Sequence, residues 1–339
     1  MQDFLERDVS PEERVFSALA TAEDRVSRLD ERISASGFKE GWRTRADVRA
    51  VTGALSAAGV LVHPEDLLLH DLGAEARIPD GGVLMARGLL QARRKAFNGG
   101  PELLSWRGIS WLAGLVKHAP PPGPRPTAEV GRAFSQADSL YVSLAAFFKG
   151  LERGETDSAR GGVEDCLAVL DLRGAPPLLQ AAAFLDAWRV VDPLPSQKWV
   201  GALVAGVTLR VSKRFSGGLF PIEVAQRRRP IPPRLAWRPL AERLAFWLEL
   251  MTSAAELELE ELTRLGHQKR LIERKAAGTR RNSHASDLAR LAVETPVLTT
   301  ESISRALEIT PQASLQLVRR FDGVLVEITG RSRFRVWRL

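Results

Sequence analysis

Residues 300–321 read TESISRALEITPQASLQLVRRF. Two short helices fit this stretch, joined by the turn "LEIT". The first starts after Thr299 or Thr300, and Glu301 sits near its positive end, where an acidic side chain is favoured. The second opens at Thr310-Pro311, with Thr as N-cap and Pro in the first turn, where its missing N–H costs nothing. A further helix is expected upstream, from Ser286 as N-cap to about Glu294. Ile303, Leu307, Ile309, Leu317 and Phe321 close a small core. That core leaves Gln312, Gln316 and Arg319 on the opposite face of the third helix, with Arg320 beside them. Such a helix–turn–helix suits a groove of duplex DNA. Gln pairs bidentately with adenine and Arg with guanine or phosphate, so Gln312 and Gln316 are the leading base readers.

Downstream, Val324, Val326 and Ile328 alternate as one face of a strand. Thr329-Gly330-Arg331-Ser332 turns it, and Phe334 and Val336 alternate inward on a return strand. The hairpin is a wing that directs Arg331, Arg333 and Arg335 outward, toward phosphates or a minor groove. The alternation slips at Trp337, which is placed as a cap on the core.

The charge of the chain agrees with an acidic partner. Over 339 residues the net charge is +7. From Arg264 onward there are fifteen Lys/Arg against seven Asp/Glu, so the excess lies entirely in that end. The lone cysteine, Cys166, excludes an internal disulfide or a Cys-based zinc cluster and suits a reducing cytoplasm. No apolar run approaches the roughly 20 residues that span a bilayer, so a membrane is not among the expected partners.

The rest of the chain reads as helix. Val15, Leu19, Ala22, Val26, Leu29 and Ile33 recur at three-to-four spacing over residues 11–35. Further helices are expected at about 44–58, 64–71, 82–97, 127–152, 161–171, 178–191 and 198–214. "HAPPPGPRPT" (118–127), "RGAPP" (173–177) and "RRRPIPPR" (227–234) are breaks. After Pro239 one pattern runs to about Lys275, about 55 Å if continuous. "AAGTRRNSHAS" (276–286) is a basic joint. The class is mainly α. The organisation is a helical body over 1–235, a long connecting helix over 236–278, and a winged helix-turn-helix over 279–339.

Val326-Glu-Ile-Thr-Gly-Arg331 with Arg333 and Arg335 resembles the winged helix that follows the catalytic domain in many Fic (filamentation-induced-by-cAMP) proteins. Glu65-Asp-Leu-Leu-Leu69 is similar to a stretch of their N-terminal region. The resemblance implies a Fic-like helical body. Its active loop, His-Pro-Phe-x-Asp/Glu-Gly-Asn-Gly-Arg, corresponds to Asp192-Pro-Leu-Pro-Ser-Gln-Lys-Trp199. Only Pro193 matches, Asp192 stands where the general-base histidine would be, and the phosphate-cradling glycines are absent. More closely, "RLDERISASGFKEGW" (28–42), "LVHPEDLLLHDLGAEAR" (61–77) and "ITGRSRFRVW" (328–337) resemble a family of uncharacterised α-proteobacterial proteins, common on rhizobial plasmids. These join a domain of unknown function to a helix-turn-helix domain.

One cluster suggests other chemistry. His63, Asp66 and His70 in "VHPEDLLLHDL" are spaced three and four apart, and two His with a carboxylate suit a divalent metal. Capping and internal hydrogen bonding account for the same residues. There is no P-loop, dinucleotide fingerprint or nucleophile elbow, and no cofactor is expected. The expected function is DNA binding, as a transcriptional regulator or plasmid-associated accessory factor, with the body serving a homodimer or an unidentified protein partner. The alternative is an enzyme: a diverged Fic-like nucleotidyl or phosphoryl transferase, or a metal-dependent hydrolase.

Overall fold

The computed structural model describes residues 10–74, 78–121, 137–151, 158–172, 174–278, 284–330 and 335–339. The expected breaks and joints at 122–127, Arg173 and 279–283 lie outside these residues, as do the wing residues 331–334. Among the described residues there are thirteen α-helices and three short strands, the strands all near the C-terminus. The mainly α class holds. No helix among the described residues is long and apolar enough to cross a membrane.

The chain divides into two compact units. One comprises Met1–Asp30 and Gln91–Glu256, the other Glu31–Leu90 and Leu257–Leu339. Helices α1 (Pro11–Ala35), α4 (Gly81–Asn98) and α10 (Leu240–Ala277) contribute to both. The 38 residues of α10 form one uninterrupted helix, about 57 Å long at 1.5 Å per residue.

The first unit is built around α8 (Pro177–Val191) and α9 (Trp199–Val211). Both are buried nearly all round, from Leu178 to Trp188 and from Val200 to Leu209. A helix without a polar face belongs inside a core. Gly201 lets the pair close, since a Cβ there would lie 2.6 Å from the Trp188 ring. Helices α5 (Trp106–Leu112), α6 (Ala137–Leu151) and α7 (Ala159–Ala168) belong to the same unit. The sequence pattern missed α5. It is only seven residues long, too short to show a period, and its signal is the Ser105 N-cap, which accepts from Gly108 N.

Two ion pairs are buried in this core. Arg243 Nε donates to Asp186 Oδ2 at 2.9 Å, and Trp247 Nε1 donates to Asp186 Oδ1 at 3.2 Å. Arg93 Nη1 donates to Glu223 Oε1 at 3.0 Å. A buried pair adds little net stability when intact, but losing one partner strands the other charge. Asp186→Ala is therefore expected to destabilise by about 3–5 kcal/mol in chemical denaturation. Replacing Asp186 and Arg243 together by Leu and Met should recover part of that loss, since Trp247 Nε1 still loses its acceptor.

Candidate nucleic-acid interface

The second unit holds α2 (Lys39–Ala57), α3 (Pro64–Asp71), α11 (Ala285–Glu294), α12 (Thr300–Leu307) and α13 (Pro311–Arg319). It also holds β1 (Leu298–Thr299), β2 (Val326–Glu327) and β3 (Val336–Arg338), an antiparallel sheet of order β1-β3-β2. The caps of α12 and α13 follow the sequence expectation. Thr299 and Ser302 form a reciprocal capping box at the start of α12, with N···O distances of 2.9 and 2.8 Å. Thr310 Oγ1 accepts from Ala313 N at 3.2 Å, and Pro311 opens α13. Between them Glu308 takes the left-handed conformation (φ 53°), turning the chain where glycine would be usual. Ser304 Oγ and Ser314 Oγ meet at 3.0 Å across the two helices.

Ile303, Leu307, Leu317 and Phe321 are buried and Ile309 is half-buried, as expected. Gln312, Gln316, Arg319 and Arg320 are all exposed. Gln312, Gln316 and Arg319 are four and three apart, so they share one face of α13.

Three details depart from the sequence reading. Helix α11 begins at Ala285 with His284, not Ser286, in the N-cap position. The inward alternation is shifted at the first wing strand: Leu325 is 4% exposed and Val326 52%. The cause is the turn after α13, where the N–H groups of Val324 and Leu325 both donate to Phe321 O and Gly323 has φ 80°. A one-residue slip inverts every side chain of a strand. Thirdly, β1 was not anticipated. It pairs Leu298 with Trp337, which is buried in the central strand.

Glu327 ties the wing turn. Its Oε1 accepts from Thr329 N (2.9 Å), Gly330 N (2.8 Å) and the Thr329 hydroxyl. The hydroxyl bond, with the two amides and the nearby Arg335 charge, holds the carboxyl below its ordinary value against desolvation. Arg335 is half-buried, whereas Arg331 and Arg333 lie outside the described residues.

The module is seated on α2. Arg45 Nη1 donates to Val293 O (2.8 Å) and Gly41 O (2.9 Å). Its Nη2 donates to Ala292 O (2.9 Å) and Thr295 O (2.7 Å). One guanidinium thus takes up the carbonyls that a helix C-terminus leaves open. Burial first, then Arg49 and Arg264, pull the Arg45 pKa down to about 10, so it stays charged at neutral pH. Gly41 makes the approach possible, because a Cβ there would lie 2.0 Å from Val293 O. Arg338 pairs with Glu65 of α3 at 2.6 Å, and Lys275 Nζ donates to Asp322 O.

The remaining candidates are dispersed. His63 precedes α3 as an extended N-cap residue, so it is off the helical face. His63 and Asp66 are exposed and His70 is buried. No group of three His, Cys, Asp or Glu could hold a metal among the described residues. The 192–199 stretch does join two helices. Asp192 ends α8 in the left-handed conformation (φ 46°) and pairs with Lys198 at 3.1 Å.

Residues 286–339 match the family described as "HTH DNA binding domain". Residues 166–277 match "Protein of unknown function (DUF1612)". The chain is 30% identical to "Uncharacterized protein y4cF" of Sinorhizobium fredii (strain NBRC 101917 / NGR234), over 92% of this chain and 93% of that protein. Among solved structures it is similar to a Fic family protein from Desulfovibrio desulfuricans G20. The TM-score is 0.50 at 12% identity, over 96% of this chain and 95% of that one. At that identity the likeness shows the fold alone: a Fic-like helical body, followed here by the helix-turn-helix.

Gly41→Ala is expected to lower stability by about 1–3 kcal/mol through overpacking at Val293, read by denaturant unfolding. Glu327 gives a pH signature. A depressed carboxyl contributes stability above its unfolded pKa of about 4.3, and that contribution is lost as pH falls through the lower folded value. Amide exchange at Thr329 and Gly330 should therefore be slow at neutral pH and lose its protection below about pH 4. In Glu327→Gln that acid-dependent step should be absent.

Proposed function

The chain belongs to one family with the Sinorhizobium fredii protein y4cF, and on that footing we propose that it binds duplex DNA through α13 and the wing. The observation that carries the reading is the exposed row Gln312, Gln316 and Arg319 on a capped helix, within the stretch that matches a helix-turn-helix DNA-binding domain. In this reading Gln312 and Gln316 contact base edges from the N-terminal half of α13. Arg319 and Arg320 reach the backbone or a guanine. On the wing, Arg331, Arg333 and Arg335 supply phosphate contacts, Arg335 sharing its charge with Glu327.

The role that fits is transcriptional regulation or a plasmid-associated accessory function in the cytoplasm. The helical body would then serve a homodimer or a protein partner. A palindromic site with half-sites about one helical turn apart, 10–10.5 bp, would accompany a dimer.

Selection of bound sequences from a random duplex pool tests the reading, followed by titration of the selected site. Gln316→Ala is expected to lose about 1–3 kcal/mol of discrimination at one base pair. Arg331→Ala with Arg333→Ala should weaken all sequences alike and reduce the salt slope by about 0.9 per contact. A pool that shows no enrichment, with no binding at low salt, would end the proposal.

A further inference from the structure

We infer that the exposed face of α10 from Arg264 to Arg274 is a second phosphate-binding surface, gripping DNA beyond the stretch that α13 reads. The inference rests on the DNA-binding reading above and adds a surface outside the helix-turn-helix domain.

The first observation is where the positive charge lies. Over 285–339 there are eight Lys/Arg against six Asp/Glu, a nearly balanced module. Over 264–278 there are five against one. Of the excess of eight, four therefore lie on the last turns of α10, two on Arg280 and Arg281, and two in the module that follows.

The second is how those charges are presented. Arg264, His267, Arg270 and Arg274 recur at spacings of three, three and four, and all are exposed. The opposite side of the helix is buried through Leu265, Ile272 and Ala276. From Arg264 to Arg274 the ridge is about 15 Å long, the rise of roughly four base-pair steps at 3.4 Å each. Arg32 joins it from α1, donating to Thr263 Oγ1 at 3.1 Å beside a shallow groove of about 640 Å³.

The third is which cations remain available. Arg264 is held by Glu261 at 2.6 Å and Lys269 by Glu273 at 2.9 Å. Glu260 also lines the groove and tempers its upper end. Lys275 is occupied by Asp322 O. Arg270 and Arg274 have no acidic partner among the described residues. Two arginines held on a rigid helix, without a neutralising carboxylate, suit a polyanion better than a solvated surface.

The fourth is position. The Lys275–Asp322 contact sets the last turn of α10 against the turn that follows α13. Arg319 and Arg320 are exposed at the end of α13, the end from which that turn leads. A duplex lying on α13 and running past its C-terminal end meets the ridge next.

The full chain distinguishes this surface from the reading helix. Its selected duplex is used in two lengths, trimmed to about one helical turn or embedded in about four, with affinity followed by fluorescence anisotropy over a salt series. Wild type should bind the long duplex with the steeper salt slope. Arg270→Ala with Arg274→Ala should lower that slope by about 1.8, at 0.9 per phosphate contact, and leave the short duplex and the selected sequence unchanged. Arg270→Lys with Arg274→Lys should keep the wild-type slope. If the alanine variant matches wild type on the long duplex, the ridge is not a DNA contact, while binding of the short duplex keeps the reading of α13. If neither duplex is bound, both fall. If the alanine variant weakens both lengths equally, the arginines belong to the primary site and the inference is wrong.

Discussion

The orientation of the winged helix depends on one half-buried guanidinium. Arg45 gives four hydrogen bonds to main-chain carbonyls, three of them at the C-terminus of α11. A helix end carries partial negative charge and unpaired carbonyls, so a cation there removes two costs at once. The contact works only because position 41 has no side chain, with α2 so close that a Cβ would overlap Val293 O. The other ties are of a different kind. Arg338–Glu65 is a half-exposed pair, and such pairs are worth little alone. They set register around a seat that Arg45 and Gly41 create. With the module seated, α13 keeps its polar row in solvent.

Much of this unit was legible from residues alone, because its signals are local. Thr299, Thr310 and Pro311 are caps, and caps act within one turn. The buried set Ile303, Leu307, Leu317 and Phe321 follows the helical period. What escaped were features fixed by tertiary contact. Strand β1 is two residues long and exists only because β3 pairs with it. The Leu325/Val326 register is set by two amides converging on Phe321 O, which no alternation pattern reveals. Arg45 and Gly41 carry no such local signal, since their partners lie some 250 positions away.

The body shows the opposite balance between fold and chemistry. Its architecture was readable as helices with proline breaks, and it resembles a Fic family structure at 12% identity. Architecture at that distance carries no activity with it. The loop between α8 and α9 illustrates the point. Two helices and a turn are present there, and Asp192 and Lys198 in that turn are paired to each other. Nearby, the core invests in buried ion pairs at Asp186–Arg243 and Arg93–Glu223. Both members of each pair are enclosed, so loss of either would strand a buried charge.

Counting charge along the sequence located an excess but not its use. The fifteen cations from Arg264 onward are not equivalent once folded. Arg305 is taken by Glu301, Arg338 by Glu65, Lys269 by Glu273, and Lys275 by a carbonyl. Arg335 shares its field with Glu327. A cation already paired must exchange partners to meet a phosphate, at a modest cost where the pair is exposed. Among the described residues, those left without an acidic partner are Arg319 and Arg320 at the end of α13 and Arg270 and Arg274 on the outer face of α10. The total charge thus suggests a more evenly basic end than the described residues present.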